Sequence, residues 1–457
     1  MKYIKLSFLL FVAVASPVLA QQYKQLSDVP TIYIETENNQ QITSKEQYIN
    51  CTLIYVDGDS TARYEKTQIR GRGNSSWWNS EKKPYRIKFA EKQKFLGKGF
   101  ANAKSWTLLA NHGDKTMIRN ALTYDLGRFM GMKFCPAARF VDLYLNGNYR
   151  GTYQISDQVQ VHKKRVDISE ENGWFMEVVN ENSREEPLIT SSRYRIMYNI
   201  KNPEDEQLTV AKRIAIGQWI QKFEEAVASD DFKDPERGYR AYVDEDDLVN
   251  WYVGAEITGN IDALYSIYMY KDEGEEKMHF GPLWDLDLGY DNSSERSLLR
   301  ALEAYLGLWN RPFENILQRM WQDPWFAHAC NQRLQQLIDA GLQTYLTDHI
   351  DSLRTAIWKT QTENFKKWRI NEQVYSWAKN AYYNNYDSYI RDLKQFVEIH
   401  IPYLQQTFAE RDATGIRDAR TGVDEENGYW FDLYGRRIEK PTRSGIYIHN
   451  NKKVIRR

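Results

Sequence analysis

The sequence is poor in cysteine, glycine and proline, and these shortages exclude several classes of protein. Its three cysteines, Cys51, Cys135 and Cys330, are odd in number, widely spaced and without metal-ligand spacing. They support neither a disulfide framework nor a zinc site, so buried thiols are expected. With 25 glycines and 12 prolines in 457 residues and no low-complexity stretch, the chain is expected to fold nearly throughout.

The sequence also lacks an excess of either charge. Without the two lysines of the leader described below, 59 basic residues balance 62 acidic ones, which gives a formal charge of −3. Strong electrostatic attraction to nucleic acid or to an anionic membrane surface is therefore not expected.

Long apolar runs are missing except at the start, where residues 1–20 are predicted to form a cleavable signal peptide. Lys2 and Lys5 precede an apolar run from Leu6 to Ala15, and Val18-Leu19-Ala20 fits a signal-peptidase site. The run is shorter than the about 20 apolar residues of a spanning helix, and no Cys follows it to carry a lipid. We expect an exported protein, periplasmic, on the cell surface or extracellular, without a transmembrane segment after cleavage.

Aromatic residues are abundant, with 31 Tyr and 14 Trp. Packing in cores and interfaces is one interpretation, and stacking on sugars or bases at a surface site is the other.

The first half of the chain has strand patterns. In Tyr85-Arg86-Ile87-Lys88-Phe89 apolar and basic residues alternate, so Arg86 and Lys88 are expected on one face. Asp114 is predicted to cap a helix over about 115–131. Further strands are predicted within 31–35, 51–55, 69–73, 105–110, 141–145, 149–155 and 173–179.

The second half is predicted to be mainly helical. Helices are expected over 206–228 and 246–258, a hairpin over 265–284, and several helices between 300 and about 410. A basic, strand-like tail follows. The predicted fold class is α+β, with one domain over 21–412 and a linker with a small β tail over 413–457.

Carboxylates and amides concentrate around the predicted hairpin. Asn260 and Asp262 precede it, and Asp285 and Asp287 follow it on an extended stretch that places both on one side. Such oxygen ligands suit a hard cation such as Mg²⁺ with a substrate phosphate. A surface loop or a helix-cap cluster is the other interpretation.

Basic residues concentrate in the N-terminal strands. Arg70-Gly71-Arg72-Gly73-Asn74 forms a glycine-rich turn, and the basic strand 82–89 follows it. Backbone N–H groups and cations of this kind can cradle phosphates. An exposed basic strand is the alternative.

Five ordered passages within residues 65–295 resemble the spore-coat H-type (CotH) kinase-like family. They read RGNSSW…KKPYRIKF, WTLLANHGDKTMIRNAL, LNGNYRGTYQISDQVQV, EITGNID and GPLWDLDLGYDN. The resemblance implies a divergent, protein-kinase-like two-lobe fold. It also implies binding of ATP with Mg²⁺ or Mn²⁺ and phosphorylation of Ser or Thr in surface or coat proteins.

The resemblance also implies roles for single residues. Asp262 matches the catalytic aspartate, which would accept or orient the acceptor hydroxyl. Asp285 matches the metal-binding aspartate, Asp287 assists it, and Asn260 is a further candidate metal ligand. Asp114, Lys115, Arg119 and Asn120 are typical of the family but receive no role.

The predicted cofactor-binding residues lie in the N-terminal half. Lys88 is the first choice for the lysine that contacts phosphate, and Arg86 is the alternative. Arg72 and Asn74 belong to the glycine-rich turn, and Asp157 is expected to pair with the lysine.

Some residues depart from protein-kinase patterns. The GxGxxGxV, HRD and DFG signatures are missing, and Ile267 stands where a kinase carries a metal-binding Asn, five residues after the catalytic Asp. An inactive surface or glycan-associated binding module is therefore the alternative function. Transfer of phosphoryl or nucleotidyl groups to a small molecule is a third.

The tail, YWFDLYGRRIEKPTRSGIYIHNNKKVIRR, is similar to C-terminal sorting tails of Bacteroidota type IX secretion. A small β-hairpin packed on the helical part is the alternative. The sequence predicts neither the phosphate acceptor nor the oligomeric state.

Overall fold

The computed structural model describes residues 23–97, 99–260, 262–293, 311–376, 379 and 382–414, and in the tail 430–431, 437–438, 441, 445–449 and 452–456. The predicted signal peptide lies outside these residues.

Seven strands of the N-terminal half form a closed barrel in the order β1-β2-β3-β4-β5-β7-β6. All pairs are antiparallel except β1 with β6, which is parallel and closes the barrel. A four-residue helix, α1 (Ser75–Trp78), lies between β3 and β4, and helix α2 (Arg119–Phe129) precedes β6. The strands are β1 Thr31–Thr36, β2 Ile49–Asp57, β3 Ser60–Gly71, β4 Tyr85–Gln93, β5 Ala103–Leu109, β6 Ala138–Leu145 and β7 Asn148–Asp157.

Alternation along the strands explains the barrel. In β4 the side chains of Tyr85, Ile87 and Phe89 are buried in the barrel core, while Arg86 and Lys88 point to the other face. This confirms the predicted pairing of the two basic residues on one face. Asn146 and Gly147, both with positive φ, make the tight turn between β6 and β7.

A second sheet, in the order β12-β11-β8-β10-β9, lies between two apolar clusters. Trp174 and Val178 of β8 pack into the large core with the helices, whereas Phe175 packs with Tyr124 and Trp284. The strands are β8 Trp174–Val179, β9 Leu188–Thr190, β10 Met197–Asn202, β11 Ile267–Lys271 and β12 His279–Phe280.

Helices dominate the second half. Asp244 caps helix α4 by accepting from the backbone N–H of Asp247, and Gly259 ends that helix in a left-handed conformation. The helices after α2 are α3 Val210–Ala228, α4 Glu245–Thr258, α5 Pro312–Met320, α6 Pro324–Asp339, α7 Leu342–Ala356, α8 Trp358–Lys367 and α9 Tyr386–Thr414.

The α+β class is confirmed, with a β-rich first half and a helical second half. The kinase-like two-lobe arrangement is not confirmed, since the described strands form a closed barrel. The helix predicted from about residue 115 begins only at Arg119, because the Asp114 carboxylate accepts from the backbone N–H groups of Thr116 and Arg119 and holds a turn there.

The described tail residues form a four-stranded sheet in the order β14-β13-β15-β16 (Arg437–Ile438, Trp430–Phe431, Gly445–His449 and Lys452–Arg456). The strand-like tail is thus confirmed, while its sorting role and the boundary near residue 412 stay predictions. Within the described ranges, every helix is too short or too polar to cross a membrane.

Candidate functional site

Two acidic loops lie side by side at the end of the second sheet. Helix α4 stops at Thr258 because Gly259 takes φ +58° and redirects the chain toward Asp262. The chain leaves β12 and reaches Asp285, which itself has φ +60°. The backbone N–H of Tyr290 then donates to the Thr258 carbonyl oxygen at 2.6 Å, so the second loop returns to the end of α4.

Two asparagine side chains hold these loops. Asn260 Oδ1 accepts from the backbone N–H of Asp262 at 3.2 Å, and its Nδ2 donates to the carbonyl oxygen of Asp285 at 3.4 Å. Asn292 Nδ2 donates to the carbonyl oxygen of Asp287 at 2.8 Å. Both amides therefore position the backbone that carries the carboxylates. The role of Asn260 as a metal ligand stays a prediction.

The pKa values of all three loop carboxylates are raised, and those of Asp285 and Asp287 are raised in part by neighbouring carboxylates. Burial raises the pKa of Asp285, the Arg72 guanidinium opposes this, and the Asp262 carboxylate reinforces it. Burial raises the pKa of Asp287 as well, and Asp285 adds to it. Burial also raises the pKa of Asp262, and Arg311, 3.3 Å away, lowers it. A cation bound between these oxygens would relieve their repulsion.

Solvent reaches the carboxylates even though protein surrounds them. Asp285 is exposed, Asp287 is partly buried, and the side chain of Asp262 is 46% exposed. Accessibility together with pKa values raised by burial is typical of groups that line a cleft.

Three arginines at the adjacent edge of the barrel form the second part of the site. Arg70 and Arg86 lie directly opposite each other on β3 and β4, an arrangement of like charges that destabilises a sheet. Their Nε atoms are buried and lack a hydrogen-bond partner in the described part of the chain. The Arg72 guanidinium lies over Trp284, 5.9 Å from the ring centroid. Trp284 directly precedes Asp285 in the chain. We call Arg70, Arg72 and Arg86 the arginine cluster.

The third part of the site is Lys201, which the sequence analysis did not identify. It lies where the β8–β10 register shifts between Ile200 and Asn202, and such a bulge re-aims a side chain. Its Nζ lies 2.9 Å from Glu177 Oε2 and 3.6 Å from Glu185 Oε2. Burial lowers the pKa of Lys201, but the two carboxylates raise it more, so the amine stays charged.

The partners of Lys201 connect the two charged halves. Glu177 raises the pKa of Asp285, and Glu185 opposes the fall that burial causes in the pKa of Arg86. The carboxylates that pair with Lys201 therefore act electrostatically on both the acidic loops and the arginine cluster. A strand predicted over residues 197–202 would have drawn attention to this lysine, because a cation inside an apolar strand needs a partner.

These groups fit a hard divalent cation with a phosphate ligand. Asp285 and Asp287, with Asp262 nearby, supply the oxygen ligands that Mg²⁺ and Mn²⁺ prefer. The arginine cluster supplies guanidinium donors, which suit phosphate oxygens, and the buried Nε atoms of Arg70 and Arg86 lack partners within the described ranges.

Comparison with known proteins agrees with this arrangement. A family model described as "CotH kinase protein" matches residues 69–400, more than half of the chain. The chain belongs to the CotH kinase family. The matched span includes both acidic loops, the arginine cluster and Lys201. A search of curated proteins finds no match.

Within this CotH kinase-family chain, Lys88 and Arg86 occupy different surroundings. Lys88 is exposed, with its Nζ 5.7 Å from the centroid of the Tyr48 ring. Arg86 is partly buried among the arginines, and burial lowers its pKa, as do the nearby charges of Arg70 and Arg72. Arg86 therefore belongs to the arginine cluster and Lys88 lies outside it, and which of the two contacts phosphate stays a prediction.

Asp157 does not pair with Lys88, which corrects the expected partnership. Its Oδ1 accepts from Arg165 Nε at 2.9 Å, and its Oδ2 accepts from the backbone N–H of Ala137 at 3.0 Å. With side-chain exposures of 3% and 0%, Asp157 and Arg165 form a buried ion pair. Both carboxylate oxygens of Asp157 thus have partners inside the protein, and a role for this residue in cofactor binding stays a prediction.

Asn74 lies in the glycine-rich turn as predicted, where its Oδ1 accepts from Lys45 Nζ at 2.8 Å. Gly71 of this turn serves packing. A Cβ on Gly71 would lie 2.4 Å from the Trp77 ring, so Trp77 packs directly on this backbone. A role for Asn74 in cofactor binding stays a prediction.

The family-typical residues 114–120 support the second acidic loop. Asp114 and Arg119 form an ion pair with 1% and 4% of their side chains exposed. Arg119 Nη2 also donates to the carbonyl oxygen of Tyr290 at 3.2 Å. Asn120 Nδ2 donates to Asn111 Oδ1 at 3.2 Å, and Lys115 Nζ donates to a backbone carbonyl oxygen. Burial lowers the pKa of Lys115 to about 8.

Proposed function

We propose that this CotH kinase-family protein is exported and transfers phosphate from ATP, with Mg²⁺ or Mn²⁺, to Ser or Thr hydroxyls of surface or coat proteins. One observation carries the proposal: crowded carboxylates adjoin an arginine cluster in which the Nε donors of Arg70 and Arg86 lack partners within the described ranges. Family membership supports the reaction class.

The order of parts along the chain supports a kinase-type site. Helix α4 leads into the loop of Asp262, the hairpin β11–β12 follows, and Asp285 comes directly after the hairpin. Protein kinases likewise place a catalytic aspartate and then a metal-binding aspartate in this order. This order is the support for a kinase-like arrangement of the chain, which we include in the proposal.

Each residue would have a separate task. Asp285 and Asp287 would hold the metal ion, which supplies positive charge to the transferring phosphate. Asp262 would orient the acceptor hydroxyl and receive its proton, a task that a raised pKa favours. Arg72, Arg86 and Lys201 would bind the phosphate oxygens.

One observation favours the alternative of a module that binds without catalysis. Ile267, in the place of the second metal-binding Asn, is fully buried in β11 and pairs with Val178. The second metal site of protein kinases therefore has no equivalent at this position. In that case the protein would bind nucleotide and transfer nothing.

Nucleotide binding is tested by thermal unfolding of the protein beginning at Gln21. ATP with Mg²⁺ or Mn²⁺ is expected to raise the melting temperature, because a ligand of the native state stabilises it. Asp285→Asn should remove the shift; Asn is isosteric and tolerates the positive φ of this position. Asp59→Asn in the exposed β2–β3 turn is the matched control. No shift in either protein would refute nucleotide binding.

Catalysis is tested by transfer of radiolabel from ATP to Ser-rich peptides. Asp262→Asn is expected to lower the rate at least a hundredfold while nucleotide binding persists, as for other general-base groups. Binding without transfer in the unaltered protein would favour the binding module. Unchanged transfer in Asp262→Asn would remove Asp262 from its role.

A further inference from the structure

A second group of metal-ligand side chains lies at the opposite end of helix α4 from Asp262. Asp244 caps the helix, Asp247 lies in its first turn, and His279 is the first residue of β12. One ligand atom from each of the three lies within 4.8 Å of the others. Within the described residues this is the group that combines an imidazole with two carboxylates.

The histidine is oriented as metal-binding histidines are. Its Nε2 lies 2.9 Å from Glu275 Oε2, within reach of an Nε2–H that donates to this carboxylate, and in the neutral ring Nδ1 then carries the lone pair that a metal ion would take. A carboxylate on the far nitrogen fixes the tautomer and ring orientation of a ligating imidazole. His279 is 5% exposed, and stacking on Tyr270, with 5.1 Å between ring centroids, fixes the ring further.

A cation already lies on the near side of the ring. Nδ1 lies 2.6 Å from Asp247 Oδ2, so either a proton on Nδ1 or a cation beside both atoms holds them together. Lys133 is placed to be such a cation, since its Nζ is 2.9 Å from Nδ1 and 3.0 Å from Asp247 Oδ2. The Lys133 side chain is 54% exposed, so it can leave without unfolding anything around it.

We propose that Asp244, Asp247 and His279 bind a divalent transition metal ion such as Zn²⁺, which displaces the Lys133 ammonium. Donors on a tetrahedral zinc ion are about 3.3 Å apart, given metal–ligand distances of about 2.0–2.1 Å. The distances from Nδ1 to the two aspartates, 2.6 and 3.7 Å, lie on either side of that value. One nitrogen with two oxygens suits Zn²⁺ rather than Mg²⁺.

The position gives this ion a structural role. It joins the first turn of α4 to β12, and these two elements lead into Asp262 and Asp285 respectively. The proposal does not depend on phosphate transfer. The ion holds the frame of both acidic loops whatever those loops bind.

The test uses protein that carries Asp262→Asn, Asp285→Asn and Asp287→Asn, so that the carboxylates of the acidic loops contribute no metal binding. Co²⁺ is titrated and followed by its visible absorbance, and Zn²⁺ is measured by competition. One equivalent is expected to bind, and Mg²⁺ should not displace it. His279→Gln should weaken binding at least a hundredfold, and Lys133→Met should tighten it at least tenfold. Lys164→Met, at an exposed lysine outside the group, is the control.

Three results would overturn the proposal: no Co²⁺ binding, binding unchanged by His279→Gln, or affinity unchanged by Lys133→Met. If His279→Gln does not fold, Asp247→Asn and Lys133→Met still decide. Because the acidic loops are neutralised throughout, failure of this site leaves the nucleotide-binding test untouched.

Discussion

Lys201 of β10 and Glu177 of β8 form a salt bridge with 2.9 Å between Nζ and Oε2. The lysine is 25% exposed and the glutamate 13%, so water screens the pair only weakly. A cation held in this way has little freedom to lose when it binds a phosphate.

We expect Lys201→Met to weaken binding of Mg²⁺-ATP at least tenfold. Lys88→Met, at the exposed lysine of the barrel, should leave the affinity within about twofold. Both affinities are measured by calorimetry, with circular dichroism as the check on folding. If Lys88→Met lost affinity for Mg²⁺-ATP and Lys201→Met did not, the phosphate contact would be assigned to Lys88.

Removing one charge from the arginine cluster should weaken ATP binding without lowering the stability of the protein. Arg86→Gln removes one of two like charges that face each other across β3 and β4. The protein without nucleotide should be as stable as before or gain up to about 1 kcal/mol, the range of cross-strand charge effects. ATP affinity should fall at least tenfold. Arg63→Gln on the same barrel is the control, and urea unfolding gives the stabilities.

The buried pair Asp114–Arg119 should be important for stability. In Asp114→Ala the guanidinium of Arg119 stays buried without its partner, and the backbone N–H groups of Thr116 and Arg119 lose their acceptor. We expect the free energy of unfolding to fall by about 3–5 kcal/mol. Urea unfolding measures it.

An exposed ion pair of the same helix is the comparison. Asp125 and Arg128 have side chains 24% and 41% exposed, and Asp125→Ala should cost less than about 1 kcal/mol. Equal losses in the two variants would show that burial of the Asp114 pair adds nothing.

His112 should make stability depend on pH. Burial, together with the charges of Lys82 and Lys115, lowers its pKa to about 2. Its Nε2 is buried without a hydrogen-bond partner among the described residues. Between pH 2 and the unfolded value of about 6.5 the unfolded state binds the extra proton, so stability falls as the pH drops below 6.5.

This single histidine changes the free energy of unfolding by at most about 1.4 kcal/mol per pH unit. His112→Asn keeps a donor toward Ser80, whose Oγ lies 2.8 Å from His112 Nδ1, and removes the titration. Urea unfolding at pH 5, 6 and 7 should give a shallower dependence in the variant. Parallel curves for the two proteins would contradict the assignment.

Local patterns predicted much of the fold. Alternation found strands β2, β4 and β5, and the Asn146-Gly147 turn identified the β6–β7 hairpin, because these signals lie within one segment. Strands β9 and β10 were missed, since they are short and owe their position to pairing with β8. The closure of the barrel by β1 and β6 depends on residues about 110 positions apart, which no local pattern indicates.

The candidate site could be predicted only where its residues are close in sequence. The acidic loops were found because Asp262 and Asp285 flank one hairpin. The arginine cluster was found in part, since Arg72 and Arg86 were named and Arg70 was not singled out. Lys201 and the Asp157–Arg165 pair depend on contacts between distant elements, and a single sequence carries no record of such contacts.

The parallel pairing of β1 with β6 sets the earliest moment at which the barrel can be completed. Thr36 of β1 bonds to Asn146 after β6, 110 residues later, and a ribosome needs roughly 6–20 s to add that many residues. During this time the edge of β1 that later pairs with β6 is available to another strand or to a chaperone. A nascent chain stopped before residue 138 should therefore be open to proteolysis, and one extended past residue 157 should resist it.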